Sequence, residues 1–290
     1  MVLDTHTHVW EPPSDAHPWI TTEIMADVET FSVSPVYTAD RLLADMDRAG
    51  IDEAVVVNYA LTDWQDNIHV IRAVEEHDRL SGIVTVDIFA DDAADHLRDL
   101  LAIDGILGFR LGAICPREQM WRTFDPSATW LSDAIEETAI WAVAREADAL
   151  VQILAHVDQL DQAIDLVERY PDLTYVFDHF AHAAPTTPPA EGSFSRFADL
   201  AAFDGVGVKV SEIVHRSNEE FPYTDVHGHV RWLVDTFGRE RVCWGSDFPN
   251  VSDAATYEES LGWLDHVDGL TETDREWLTG WSFRQLAGTD

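Results

Sequence analysis

Four side chains of the kinds that move protons or hold metals stand near the ends of short apolar runs: His6, His8, His179 and Asp247. Side chains on a strand alternate between faces, so Asp4, His6 and His8 share one face of the run Val2–His8. Burying unpaired polar groups of this kind costs roughly several kcal/mol. A metal ion would satisfy both imidazoles, and a His-x-His pair closing a strand has the character of a ligand pair; hydrogen-bonded core histidines are the competing reading. In the run Thr174–Phe180, residues Tyr175, Phe177 and His179 share a face, which brings His179 to the end of its strand. Imidazole titrates near neutrality and suits proton transfer or metal binding; a bond from His179 to Asp178 is the alternative. In Arg241–Asp247, residues Cys243, Gly245 and Asp247 alternate inward, and a carboxylate so placed can hold a metal or take a proton from water. Its alternative is to cap the turn through Pro249–Ser252.

Other inward polar groups extend this set. Arg110 lies between Gly108 and Gly112, and Lys209 between Gly207 and Ser211, small neighbours that leave room for a ligand. Arg110 offers a planar fork for a carboxylate or carbonyl oxygen, or else one half of an ion pair. Lys209 is the chain's single lysine, so it reads either as a site residue or as the partner of an inward acid such as Asp4 or Asp87. Gln152, Leu154 and His156 share parity, which makes His156 a further candidate ligand unless it falls in the loop before the next helix. Trp10, Tyr59 and Trp121 could wall the pocket or simply pack.

Eight apolar or β-branched runs must position these groups: Val2–His8, Glu53–Asn58, Gly82–Ile88, Gly105–Leu111, Leu150–Ala155, Thr174–Phe180, Val206–Glu212 and Arg241–Asp247. Amphipathic stretches such as Thr38–Ala49, Trp64–His77, Asp158–Tyr170 and Asp225–Phe237 separate them, with Thr38 and Asp158 placed as N-caps. Alternation of this kind predicts parallel strands joined by crossover helices, and eight repeats predict an α/β (β/α)8 TIM barrel in one domain, residues 1–290. An open doubly wound sheet is the rival, but a histidine pair closes the first run and the usual glycine-rich phosphate turn is missing. Two insertions, Glu11–Val36 after the first strand and Ala113–Trp130 after the fourth, fall at the strand ends where barrels bind substrates. The Pro-rich stretch Ala183–Gly192 reads as a linker.

Against 18 basic residues stand 54 acidic ones, a net charge of −36. Such a field repels polyanions, so nucleic acid and anionic membranes are excluded as expected partners and a small-molecule substrate is favoured. The acidic, lysine-poor surface resembles that of proteins from salt-loving cells, where molar salt shortens the Debye length to about 3 Å. Neither a secretory leader nor a membrane span is evident, and two scattered cysteines, Cys115 and Cys243, form no disulfide framework. The expectation is a cytoplasmic protein, with a homo-oligomer left open.

The chain also resembles a known family. Asp4-Thr-His6-Thr-His8, Gly108-Phe-Arg110, Tyr170-Pro-Asp-Leu173 leading to Asp178-His179, Val208-Lys-Val-Ser211, Arg241-Val-Cys-Trp-Gly-Ser-Asp247-Phe-Pro249 and Gly280-Trp-Ser-Phe-Arg-Gln-Leu286 are similar, in order and spacing, to the amidohydrolase-related TIM-barrel hydrolases. The similarity is to the branch holding sugar-acid lactonases and pyrone-dicarboxylate lactonase. It implies a divalent metal, zinc or else manganese, held by His6, His8 and Asp247 with His156 as a further ligand. Arg110 ends the fourth strand where other branches carry a lysine that is carbamylated to bridge two metals, so one ion is implied. Some members of the lactonase branch keep these residues and work without one. The implied reaction is opening of a lactone or similar activated ester. Asp247 activates a water held by the metal, His179 and Lys209 polarise the carbonyl, and Arg110 grips a substrate carboxylate or hydroxyl. The rivals are a metal-dependent decarboxylase of the same superfamily and a barrel that only binds small molecules.

Overall fold

Each of the eight apolar runs becomes a strand; His6, Arg110, Gln152 and Lys209 lie within strands, whereas His8, Asp178, His179 and Asp247 lie just beyond strand ends. The computed structural model describes residues 1–18, 36–59 and 64–289. Its strands are β1 (Leu3–Thr7), β2 (Glu53–Val57), β3 (Leu80–Thr85), β4 (Ile106–Leu111), β5 (Leu150–Ile153), β6 (Thr174–Phe177), β7 (Val206–Val210) and β8 (Val242–Trp244). They lie side by side in sequence order, every neighbouring pair parallel. A parallel bridge between Thr7 and Phe248 brings the last strand back to the first. Two backbone bonds of 2.9 Å, His8 N–H to Phe248 C=O and Asp247 N–H to His6 C=O, close the ring. The expected (β/α)8 barrel is the fold.

Strands buried on both faces read as unbroken apolar runs, as Ala54-Val-Val-Val57 does. Thr38 caps the helix Ala39–Ala49 by accepting from Arg41 N–H, and Gly50 ends it in the left-handed conformation (φ 74°) that glycine adopts without strain. The second expected cap is corrected. His156, rather than Asp158, caps the 3-10 turn Val157–Gln159 that precedes the helix Leu160–Arg169, its Nδ1 accepting from Asp158 N–H while Gln159 Oε1 accepts from His156 N–H. Imidazole can do this because one of its nitrogens keeps a lone pair.

Strict alternation fails at two strands. Along β1 the register runs Leu3 with Glu53 and Asp4 with Ala54, then Thr7 with Val56, so three steps match two on β2. That extra residue rotates the strand's end. Leu3 joins the barrel-interior cluster with Val55, Val57, Ile83, Leu150, Val176, Cys243 and Phe283. Asp4 points instead to Tyr257 in the helix Tyr257–Gly262. On β6 it is Val176 that faces inward. Tyr175 and Phe177 pack outside, Phe177 edge-on to Phe197 at 5.8 Å. The inward place at the end of β6 therefore belongs to Asp178.

Of the two insertions, Glu11–Val36 lies largely outside the described residues, apart from its ends, where Trp10 and Tyr37 form an antiparallel bridge. Ala113–Trp130 is a packed loop. Its Ile114, Cys115 and Trp121 cluster with Leu154, and Trp130 Nε1–H donates to Cys115 C=O at 2.7 Å.

Candidate active site

Asp178 sits at the centre of the barrel's upper half, wholly buried. Its Oδ2 accepts from Arg110 Nε and Gln152 Nε2, both at 2.8 Å. Its Oδ1 lies 3.5 Å from Lys209 Nζ and 3.3 Å from His6 Nδ1. Gln152 completes the circuit by accepting from Lys209 Nζ at 2.6 Å. Burial opposes a charge on Asp178, yet Arg110, Lys209 and His6 together hold its carboxyl well below the usual range. Lys209 is lowered by burial, with Asp178 acting against the shift.

Above this network stand His6, His8 and Asp247, all buried, with ligand atoms within 4.8 Å of one another. Asp247 gets there because the backbone after β8 turns through φ 65°, a left-handed conformation that costs a non-glycine residue about 1 kcal/mol or more. Asn250 Nδ2 donates to both of its oxygens, at 3.3 and 3.4 Å. His8 Nδ1 lies 2.7 Å from Val57 C=O. A carbonyl only accepts, so that nitrogen carries the proton and, in the neutral ring, Nε2 is a bare lone pair. Nε2 nevertheless lies 3.1 Å from Asp247 Oδ1. Burial pushes the pKa of His6 well down, with Asp178 pulling the other way, so its ring is neutral. Its Nδ1 lies between Asp178 Oδ1 at 3.3 Å and Lys209 Nζ at 3.5 Å, and its Nε2 lies 3.6 Å from the same Asp247 oxygen with no hydrogen-bond partner among the described residues.

Two imidazole nitrogens and a carboxylate oxygen meet here, and a cation among them would engage all three at once. A tetrahedral zinc with arms of about 2.0–2.1 Å has ligand-to-ligand edges of about 3.3–3.4 Å. The observed 3.1 and 3.6 Å bracket that length. The donor set therefore fits a divalent cation.

Two other groups approach as closely, His6 with Asp178 and His179, and His179 with His182 and Glu212. In the first, Asp178 is already engaged by Arg110 and Gln152. In the second, Arg216 Nε lies 3.3 Å from Glu212 Oε2 and its Nη1 lies 3.4 Å from His182 Nδ1, so a cation there would meet a guanidinium.

His179 reaches the mouth through four successive left-handed residues, His179 to His182. Its Nδ1 lies 2.9 Å from Ser211 Oγ, and its ring centroid is 4.6 Å from that of His6. Burial lowers its pKa against the pull of Glu212, Asp247 and Asp178.

Residues 3–280 match the family profile described as amidohydrolase. The chain belongs to the amidohydrolase family. Among curated proteins this amidohydrolase is 26% identical over 263 residues to an L-fucono-1,5-lactonase of Burkholderia ambifaria, covering 90% of this chain and 85% of that one. It is 28% identical over 255 residues to a 4-sulfomuconolactone hydrolase of Rhizobium radiobacter, covering 85% and 75%. A solved amidohydrolase from Burkholderia multivorans with bound zinc shares its fold at a TM-score of 0.79, 18% identity and full coverage of both chains.

Of the residues that sequence singled out in this amidohydrolase, His6, His8, His179 and Asp247 come together. Trp10 stacks on Tyr59 at 5.3 Å, and Tyr59 lies 4.8 Å from His8, which makes the pair a wall on that side. Trp121 lies under the Arg110 guanidinium at 4.9 Å. Lys209 pairs with Asp178, not with Asp4 or Asp87. His156 stays apart, about a quarter exposed, its Nδ1 occupied by the turn it caps and 3.3 Å from Asp158. Sequence reasoning missed Asp178 as the hub, and Gln152 with it. The acid beside a strand-end histidine was the available signal, misdirected by counting faces from Tyr175.

Proposed function

We propose that this amidohydrolase opens a lactone, or a similarly activated ester, by attack of water at the centre formed by His6, His8, His179 and Asp247. The observation that carries the reading is the convergence of the His6 and His8 Nε2 atoms on one oxygen of the Asp247 carboxylate. The named activities of the two curated relatives, both lactone hydrolyses, support the substrate class.

His6, His8 and Asp247 are the residues that would hold one divalent ion, zinc by preference. Such an ion supplies Lewis acidity, making water more acidic and a carbonyl more electrophilic. Asp247, anchored by Asn250, takes a proton from the attacking water, whose oxygen bonds to the carbonyl carbon. The C–O bond of the ring breaks, and the departing alkoxide takes up the proton to give a hydroxy acid. Neutral His179, oriented by Ser211, donates a hydrogen bond to the oxygen on which charge develops. Arg110 and Lys209 act chiefly through Asp178, and Asp178 and Lys209 together hold the His6 ring from its Nδ1 side. Trp10 and Tyr59 exclude water beside His8.

The same reading makes residues 1–290 one catalytic unit, working in the cytoplasm on small molecules, and His156 no part of its ligand set. Among the described residues no helix is long and apolar enough to cross a membrane.

A panel of lactones assayed by proton release in molar salt, with and without chelator, tests the proposal. Ring opening that declines with chelator supports it. Release of carbon dioxide from carboxylated aromatic acids, with no lactone opened, would establish the decarboxylase instead. Unaltered biological function in Asp247→Asn would leave a binding barrel.

A further inference from the structure

The strands that carry the reacting groups meet where the sheet is least regular. Strands β1 and β8 share no continuous ladder, just the bridge between Thr7 and Phe248 and the two backbone bonds beside it. Side chains supply the rest of the closure. Thr5 Oγ1–H donates to Trp244 C=O at 2.6 Å. Asp4, fully buried, takes four bonds. Its Oδ1 accepts from His6 N–H at 3.0 Å and from Ser246 N–H at 2.9 Å. Its Oδ2 accepts from Tyr257 Oη–H at 2.8 Å and from Ser246 Oγ–H. Ser246 Oγ in turn accepts from Phe248 N–H at 2.9 Å, so the left-handed Asp247 is bracketed on both sides by a residue tied to Asp4.

One carboxylate oxygen thus holds the backbone N–H of His6 and that of the residue preceding Asp247. The gap between the two strands' chemistry is set by that shared acceptor. A cross-seam side chain at Gly245 would meet His6 Cβ at 2.9 Å, which shows how little slack the seam allows.

We propose that Asp4 is a positioning residue: a buried clamp across the barrel seam that fixes the spacing of His6 and His8 against Asp247 without touching substrate. The inference rests on the reading of those three residues as the reacting centre. Acceptors that hold a ligand's backbone or ring typically alter metal affinity by about 10–100-fold when lost.

The experiment compares the full wild-type chain with Asp4→Ala, Asp4→Asn, Ser246→Ala and Tyr257→Phe. Three quantities are read: zinc dissociation constant by competition with a chromophoric chelator, the visible spectrum of the cobalt-loaded protein, and kcat and KM for a lactone. Asp4→Ala is expected to weaken zinc about 10–100-fold, shift the cobalt bands and lower kcat with little change in KM. Asp4→Asn keeps the oxygen that both N–H groups share, and the hydroxyls of Ser246 and Tyr257 can turn to accept, so it should return to within about threefold of wild type. A folded Asp4→Ala with zinc affinity, spectrum and kcat like wild type overturns the proposal. Should Asp4→Ala fail to fold, Ser246→Ala and Tyr257→Phe decide: shifted cobalt bands in either support the clamp, unshifted bands in both overturn it. A wild-type chain that binds neither ion also overturns it, since no ligand set is then being held. Shifts in zinc affinity and cobalt bands without any lactone turnover would sink the proposed reaction and leave the clamp standing.

Discussion

Two polar clusters share the upper half of the barrel, and they differ in what engages their carboxylates. Around Asp178 two cations share one carboxylate: Arg110 and Lys209 bracket it, and Gln152 bridges acid and amine. Around Asp247, two imidazole nitrogens converge on one carboxylate oxygen, and no lysine or arginine pairs with it among the described residues. Both are equally buried. The first cluster is held by its own ion pairs and behaves as scaffold, whereas the second presents a donor set that a cation could join. Burial of polar residues alone does not mark a site; convergence of metal-ligating atoms on one point does.

That contrast can be broken most severely at Asp247. Asp247→Asn should lower kcat about 10⁴-fold, about 5.5 kcal/mol of barrel-mouth chemistry, with a thermal midpoint close to wild type. A large fall in stability with kcat retained would put Asp247 with the scaffold. Conversely, Asp178→Ala strands Arg110 and Lys209 inside the barrel and should cost about 3–5 kcal/mol in urea unfolding; a loss below 1 kcal/mol would mean that the network is slack.

Added zinc sharpens the distinction further. At 100 times its dissociation constant, zinc should stabilise the fold by about 2.7 kcal/mol, reversed by chelator. His6→Ala should abolish that gain and Lys209→Met should leave it in place.

The barrel itself was legible because eight β-branched runs alternate with amphipathic stretches, and local pattern decides such elements. His6, His8 and Asp247 were legible because they stand at or just past strand ends, where a barrel gathers its reacting groups. Asp178 and the partner of Lys209 were not. Their positions depend on a bulge in β1 and on the inward phase of β6, which are settled by how strands far apart in sequence pair, and periodicity carries no record of that. The cap at His156 was hidden for a different reason: imidazole caps so seldom that Asp158 looked the better candidate.

Smaller effects test the margins of the comparison. His182 lies at the edge of the mouth, and burial pushes its pKa down to about 3. In the unfolded chain it titrates near the ordinary value of 6.5. The native state therefore binds fewer protons over that range. Its contribution is fully present above pH 6.5 and is lost as pH falls toward 3, at about 1.4 kcal/mol per pH unit. His182→Gln should flatten the acid limb of a stability profile by that slope; an unchanged limb would show that the histidine stays solvated. Least affected should be His156→Ala, losing about 1 kcal/mol with its cap and leaving zinc affinity within twofold of wild type.

The burial of Lys209 has a practical corollary. It carries the chain's single ε-amine and is 0% exposed, so acylating reagents that label lysines elsewhere should find just the N-terminal amine while the fold is intact. Every second label then counts a molecule that has opened its core. Mass spectrometry after timed acylation would read global unfolding directly, with the protein's own composition as the reporter.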